Sequence, residues 1–157
     1  MSKVLVIIKS MGIGDLSILI SNIHAISRKL DKPVTVLAQK STRASSILKN
    51  DPHIEEVIEL DEKETKSFLG IIKKIKPRKF DQSYIYSDSI RLFLISKLSG
   101  IKNNFHYKFF SKKGKNFYKT AKEFTEKTIG TEINSQSKIY CNIAEIENAK
   151  KKIQYYH

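Results

Sequence analysis

The chain has 157 residues, enough for one domain with a real core and too short for two of typical size. Hydrophobic residues at 40% and aromatics at 10% exclude intrinsic disorder, and no apolar run is long enough to cross a bilayer. A net charge of +13 attracts phosphates, acidic glycans and anionic lipid surfaces, while a single cysteine, Cys141, excludes an internal disulfide or multi-cysteine metal site and suits a reducing cytosol.

Residues 4–8, Val-Leu-Val-Ile-Ile, form an unbroken apolar run. It is too short for a secretory leader and meets Lys9 without a small-residue cleavage site, so it reads as a parallel strand buried on both faces. Gly12 and Gly14 then let the chain turn into a helix over residues 16–30, whose Leu16, Leu19, Ile20, Ile23, Ile26 and Leu30 recur at three- and four-residue steps. Asp15 therefore falls beyond the carboxyl end of a strand, at a helix start, where α/β folds place their chemistry. Two readings are open there: a helix N-cap, favoured by residue type, and a general base facing the crevice.

The β-branched segment 34–38 predicts a second buried strand, and residues 41–48 a short helix before the Asn50-Asp51-Pro52 turn. Segment 54–60 alternates enough polar residues to place a third strand toward one sheet edge. Phe68, Leu69, Ile71, Ile72 and Ile75 mark a helix closed by Pro77. Residues 80–86 read as a fourth strand, and Ser87-Asp88-Ser89 offers N-cap chemistry to an apolar helix ending at Gly100. A short strand over 103–110, a basic loop over 111–115 and helices over 117–129 and 143–156 complete the chain, the last with charges around most of its circumference. Alternating strands and helices predict an α/β, Rossmann-like domain with a mostly parallel sheet and helices on both faces.

Several chemistries are excluded. Gly12-Ile13-Gly14 lacks the third glycine of a dinucleotide fingerprint, and an aspartate at the helix start repels a pyrophosphate. No Walker-type sequence and no nucleophile elbow is present. His24, His53, His106 and His157 are scattered without zinc spacing, and His24 reads as a residue that packs or caps locally. Lysine greatly outnumbers arginine, as an A/T-rich codon bias produces, so the charge reads as solvated surface or as an anion-facing patch. Nucleic-acid binding ranks lowest, because no helix carries a recognition motif.

The order of these pieces resembles the heptosyltransferase-like glycosyltransferases (glycosyltransferase family 9), which include the ADP-heptose:lipopolysaccharide heptosyltransferases. The resemblance runs from the first strand and residues 12–15 through residues 34–38 to Asn50-Asp51-Pro52-His53-Ile54-Glu55-Glu56-Val57-Ile58, similar to the family's NP-x-I-x-x-V-I stretch. It resumes at Phe80-Asp81 and continues through Ser89-Ile90-Arg91 to Lys97-Leu98-Ser99-Gly100-Ile101-Lys102, similar to its L-x-G-x-K. The resemblance implies the acceptor-side, N-terminal domain of a GT-B enzyme, with residues 131–157 as a C-terminal extension or the start of a linker.

By the same resemblance Asp15 matches the catalytic base, which takes the proton of an acceptor hydroxyl during inverting transfer from a nucleotide sugar. Substrate contacts are implied for Lys9, Met11, Gly12, Ile13 and Gly14 of the opening loop and for Ser87, Asp88, Ser89 and Arg91 after the fourth strand. No metal or resident cofactor is implied. The donor, ADP-heptose among the candidates, is expected to need a second domain that this sequence does not contain, which leaves the isolated half inactive or weak. Leu19-Ile20-Ser21 stands where many members have a Thr-Pro pair. The implied partners are a glycan or glycolipid acceptor, a donor domain or a second copy of the chain, and an anionic membrane surface met peripherally from the cytoplasm. The alternative is a non-catalytic glycan- or anionic-surface-binding module of the same descent.

Overall fold

The computed structural model describes residues 3–9, 12–109, 116–134 and 136–155. Among these, five strands form one sheet: β1 Val4–Ile8, β2 Val34–Gln39, β3 Ile54–Leu60, β4 Gln82–Tyr86 and β5 Asn103–His106. Their order is β3-β2-β1-β4-β5, and every pairing is parallel. All five residues of β1 are buried, because its side chains alternate between two cores. Val4, Val6 and Ile8 enter one, Leu5 and Ile7 the other.

The described residues also form seven helices: α1 Ile13–Leu30, α2 Ala44–Ile47, α3 Glu62–Lys66, α4 Phe68–Ile75, α5 Ile90–Leu98, α6 Phe117–Ile129 and α7 Ile143–Tyr155. The first core gathers α1 and α6, with Leu16, Leu19, Ile20 and Ile23 facing Ala121 and Phe124. The second takes Ile71 and Ile75 of α4 and Leu92 and Ile95 of α5. None of the described helices is long and apolar enough to cross a membrane. β3 is an edge strand with a half-buried, polar pattern, and Arg78 grips its Glu56 through two hydrogen bonds of 2.9 and 2.6 Å.

The expected elements are present, with local differences. α1 begins at Ile13, three residues earlier than the apolar stripe indicates, since a first turn needs no buried side chain. The segment after β2 is a 3-10 turn, Lys40–Thr42, followed by the single turn α2, because Arg43 adopts a left-handed conformation (φ 52°) between them. β4 starts at Gln82, two residues late, and β5 stops at His106, where a 3-10 turn takes over at Tyr107. α3 has no apolar stripe and follows instead from a capping box: Asp61 accepts from Glu64 N at 2.7 Å, and Glu64 accepts from Asp61 N at 3.0 Å. The basic loop 111–115 and residues 110 and 156 lie outside the described residues.

A polar brace ties α1 to the loop that enters β3. His24 is wholly buried and its Nε2 lies 2.6 Å from Asp51 Oδ2, while Asp51 Oδ1 accepts from the His53 backbone N–H at 3.0 Å. Ser27 gives its one hydroxyl proton to Lys32 O at 2.8 Å, so at the 3.1 Å contact with His53 Nδ1 the imidazole is the donor. The two imidazole rings are 4.5 Å apart, and Tyr140 approaches both edge-on.

Removing Asp51 leaves His24 and the His53 N–H without their acceptor inside the fold. Asp51→Ala is therefore expected to cost about 2–4 kcal/mol, measured as a fall in the denaturant midpoint. Burial, followed by the neighbouring His24, holds the His53 pKa below its ordinary 6.5, and burial holds that of His106 down as well. The unfolded chain thus takes up protons first as pH falls. The stability contributed by these neutral imidazoles is present above about pH 6.5 and lost as pH drops below it. The thermal midpoint should fall between about pH 7 and 5, and His53→Asn should flatten that fall.

Candidate functional site

The strand order reverses between β1 and β4: from β1 the chain winds outward through β2 to β3, then returns to β4 and winds the other way to β5. Val4 pairs with Gln82 and Ile8 with Tyr86, so the two strands end level. Their following helices leave for opposite faces, α1 to one core and α5 to the other. This divergence opens a crevice beyond the carboxyl edge, the position at which open α/β sheets bind ligands.

On the β1 side, Gly12 is the N-cap of α1 and supplies no side-chain cap. Asp15 sits in the first turn, so the capping reading of its carboxylate does not describe this helix. Half-buried, it has no hydrogen-bond or ion-pair partner among the described residues. Ile13 is 44% exposed. Neither Gly12, which is extended (φ −146°), nor Gly14 adopts the left-handed conformation that glycine alone favours. What the two glycines leave is space: a Cβ on either meets nothing within 4 Å. Met11 lies outside the described residues.

On the β4 side, the Ser87 hydroxyl is occupied within the loop, accepting from Ser89 N at 3.1 Å. Ser89 is the N-cap of α5 by backbone position, without a side-chain cap bond. Asp88 is exposed. Arg91 reaches across the carboxyl edge to donate from Nη1 to Thr65 O at 2.9 Å. Its Nη2 is buried and has no hydrogen-bond partner among the described residues.

The structure brings Lys9, Ser89 and Arg91 together around a narrow hollow with about 30 Å³ of free space, floored by Ile7, Ile8 and Leu37. Thr65 and Gln39 close it and also border a wider, shallower depression of about 570 Å³ that extends past Lys40, Ser41 and Glu62. The hollow is lined mostly by apolar side chains, with two cations, Lys9 and Arg91, among its walls, and it has room for one small group; the depression can take a larger molecule. Asp15 lines neither; it stands on the other lip of the crevice, at the start of α1. Gln39 and Thr65 escape sequence reasoning, because their role comes from where β2 and α3 end. His106 does too: its ring stacks on Phe93 at 5.3 Å and lies beneath the Ser87–Ser89 turn.

No family model matches the sequence, and no curated protein matches it. Solved structures do match. A glycosyl transferase family 9 structure from Veillonella parvula is similar at a TM-score of 0.74 and 14% identity, over 99% of this chain and 49% of that one. The E. coli ADP-heptose lps heptosyltransferase II gives 0.67 and 13%, over 96% of this chain and 50% of that one. The E. coli heptosyltransferase WaaC, solved with ADP, gives 0.63 and 10%, over 86% and 50%. The chain spans about half the length of these structures and shares the Rossmann-like fold of the part it covers.

Proposed function

We propose that this chain is the acceptor-side half of an inverting, heptosyltransferase-like glycosyltransferase, with Asp15 as the general base. The observation that carries the reading is Asp15 itself: a half-buried carboxylate with no partner among the described residues, on the lip of the crevice opened by the β1–β4 reversal. A structural carboxylate is normally spent on a cap or an ion pair, whereas a base has to keep its lone pairs for substrate. In the reaction, Asp15 accepts the proton of an acceptor hydroxyl while that oxygen forms a bond to the anomeric carbon of the donor sugar. The bond from that carbon to the nucleotide's phosphate breaks on the opposite face, and the electron pair leaves with the phosphate.

Arg91 and Lys9 give the acceptor its chemical class. A guanidinium nitrogen buried without a partner is costly unless an anion completes it, and Lys9 borders the same hollow. A carboxylate or phosphate on a glycan or glycolipid acceptor supplies that anion, held by Arg91 through charge-assisted bonds. The open space above Gly12 and Gly14 admits the sugar close to the backbone. On this reading the nucleotide sugar is held by a donor-binding domain and not by this crevice.

Calorimetric titration should show binding of an acidic sugar acceptor and none of a nucleotide sugar; donor binding alone would contradict the assignment. Arg91→Ala should weaken acceptor binding roughly 10- to 100-fold. With a donor-binding half supplied, Asp15→Asn should lower kcat by about 10²–10⁴-fold while the thermal midpoint stays within a few degrees. Unchanged turnover would remove Asp15 from the mechanism.

A further inference from the structure

The chain that follows α6 is fastened to the helical layer at two points. Ile133 is buried and its backbone N–H donates to Glu126 Oε1 at 2.8 Å, and the Ser137 hydroxyl donates to Ser17 O of α1 at 2.8 Å. Between these points, α1 and α6 lies an open depression of about 380 Å³, a volume within the range of ligand pockets. Ser21 of α1, Tyr118 and Lys122 of α6, and Asn134 and Gln136 line it. It shares no lining residue with the hollow or the depression at the carboxyl edge.

The polar groups of this depression are left open. Ser21 is only 5% exposed, and its hydroxyl has no hydrogen-bond partner among the described residues; nor have the amides of Asn134 and Gln136. A nearly buried hydroxyl without a partner is costly, and a ligand that enters the depression can complete it. The charges, by contrast, are balanced. Lys122 Nζ stands 3.5 Å from Glu126 Oε1, so this site does not select an anion as Lys9 and Arg91 do.

Hydroxyls and carboxamides both donate and accept, which matches a ligand whose own groups do the same all around a ring. Tyr118 is 48% exposed, and its ring offers a flat apolar wall to the C–H face of a pyranose. An apolar ligand would instead strip Ser21 and the two amides of water without replacing it. We propose that this depression binds an uncharged sugar unit, with its ring against Tyr118 and its hydroxyls bonded to Ser21, Asn134 and Gln136. Ser21 and Asp15 belong to the same helix, six residues and so about 9 Å apart along its axis. On the acceptor reading, on which this last step alone rests, the sugar held here is a more distant unit of the same glycan. The crevice then selects the charge of the acceptor, and Tyr118 its length.

The test is a titration followed by backbone amide shifts in NMR, with the methyl glycosides of glucose, galactose and mannose as probes and adenosine as the comparison. At least one glycoside should give saturable shifts at Ser21, Tyr118, Asn134 and Gln136 at about millimolar concentration, insensitive to salt. Tyr118→Ala should weaken that binding about tenfold or more and Ser21→Ala should weaken it too, while Tyr118→Phe retains it, with folding of each variant checked by its thermal midpoint. Absence of saturable shifts with all three glycosides, binding that Tyr118→Ala leaves unchanged, or tighter binding of adenosine would overturn the proposal. A sugar phosphate titrated in parallel separates the two readings. Shifts at Lys9 and Ser89 to Arg91 without any glycoside binding reject this site and keep the acceptor reading; glycoside binding without those shifts does the reverse.

Discussion

The pairing of β1 with β4 is the constraint on which the rest of this molecule depends. β1 is buried on both faces, so shifting its register by one residue would exchange Val4, Val6 and Ile8 with Leu5 and Ile7 between two differently shaped cores. With the register held, Ile8 and Tyr86 end at the same level, and the chain leaving each strand is committed to its own side of the sheet. Tyr86 is fixed further by its hydroxyl, 2.6 Å from Thr125 Oγ1, which in turn meets Asn22 Oδ1 at 2.9 Å. That buried chain joins β4, α6 and α1, and burial raises the Tyr86 pKa far above its ordinary value. The rim of the crevice is thus supported from beneath by groups that never touch a ligand.

Polar groups in this fold divide by position along the strands. At the amino edge they are largely consumed by structure: His24 Nε2, Asp51, His53 and Ser27 bond to one another and to the backbone, while His24 Nδ1 is buried without a hydrogen-bond partner among the described residues. Beneath β4 and β5, Ser83, Ser96 and Asn104 close a second internal network. At the carboxyl edge, among the described residues, Asp15 has no protein partner and Arg91 Nη2 is buried without one.

Most of the architecture was legible in the sequence because it rests on apolar periodicity. The unbroken run of β1, the stripe of α1 and the polar-faced edge strand β3 each have one physical solution. The candidate site was legible only as position: Asp15 and Arg91 follow strands, and strand ends are where α/β folds place their chemistry. Contacts between residues far apart in sequence left no signal. His24 and Asp51 are 27 residues apart, and nothing in their spacing announces a buried pair. Thr65 enters the hollow only because the capping box of Asp61 and Glu64 starts a helix that hydrophobicity does not predict. The apolar circumference of α5 was readable as composition, but that one side stays exposed depends on which helices lie beside it.

The central claim is that the crevice between the ends of β1 and β4 receives an acidic sugar acceptor. Mapping backbone amide shifts by NMR during titration with a sugar phosphate tests it most directly. The account predicts that the perturbed amides cluster at Lys9, Gly12 to Asp15 and Ser89 to Arg91, while those around His24 and His53 stay still. Perturbations centred on the amino edge of the sheet, or none at saturating ligand, would contradict it.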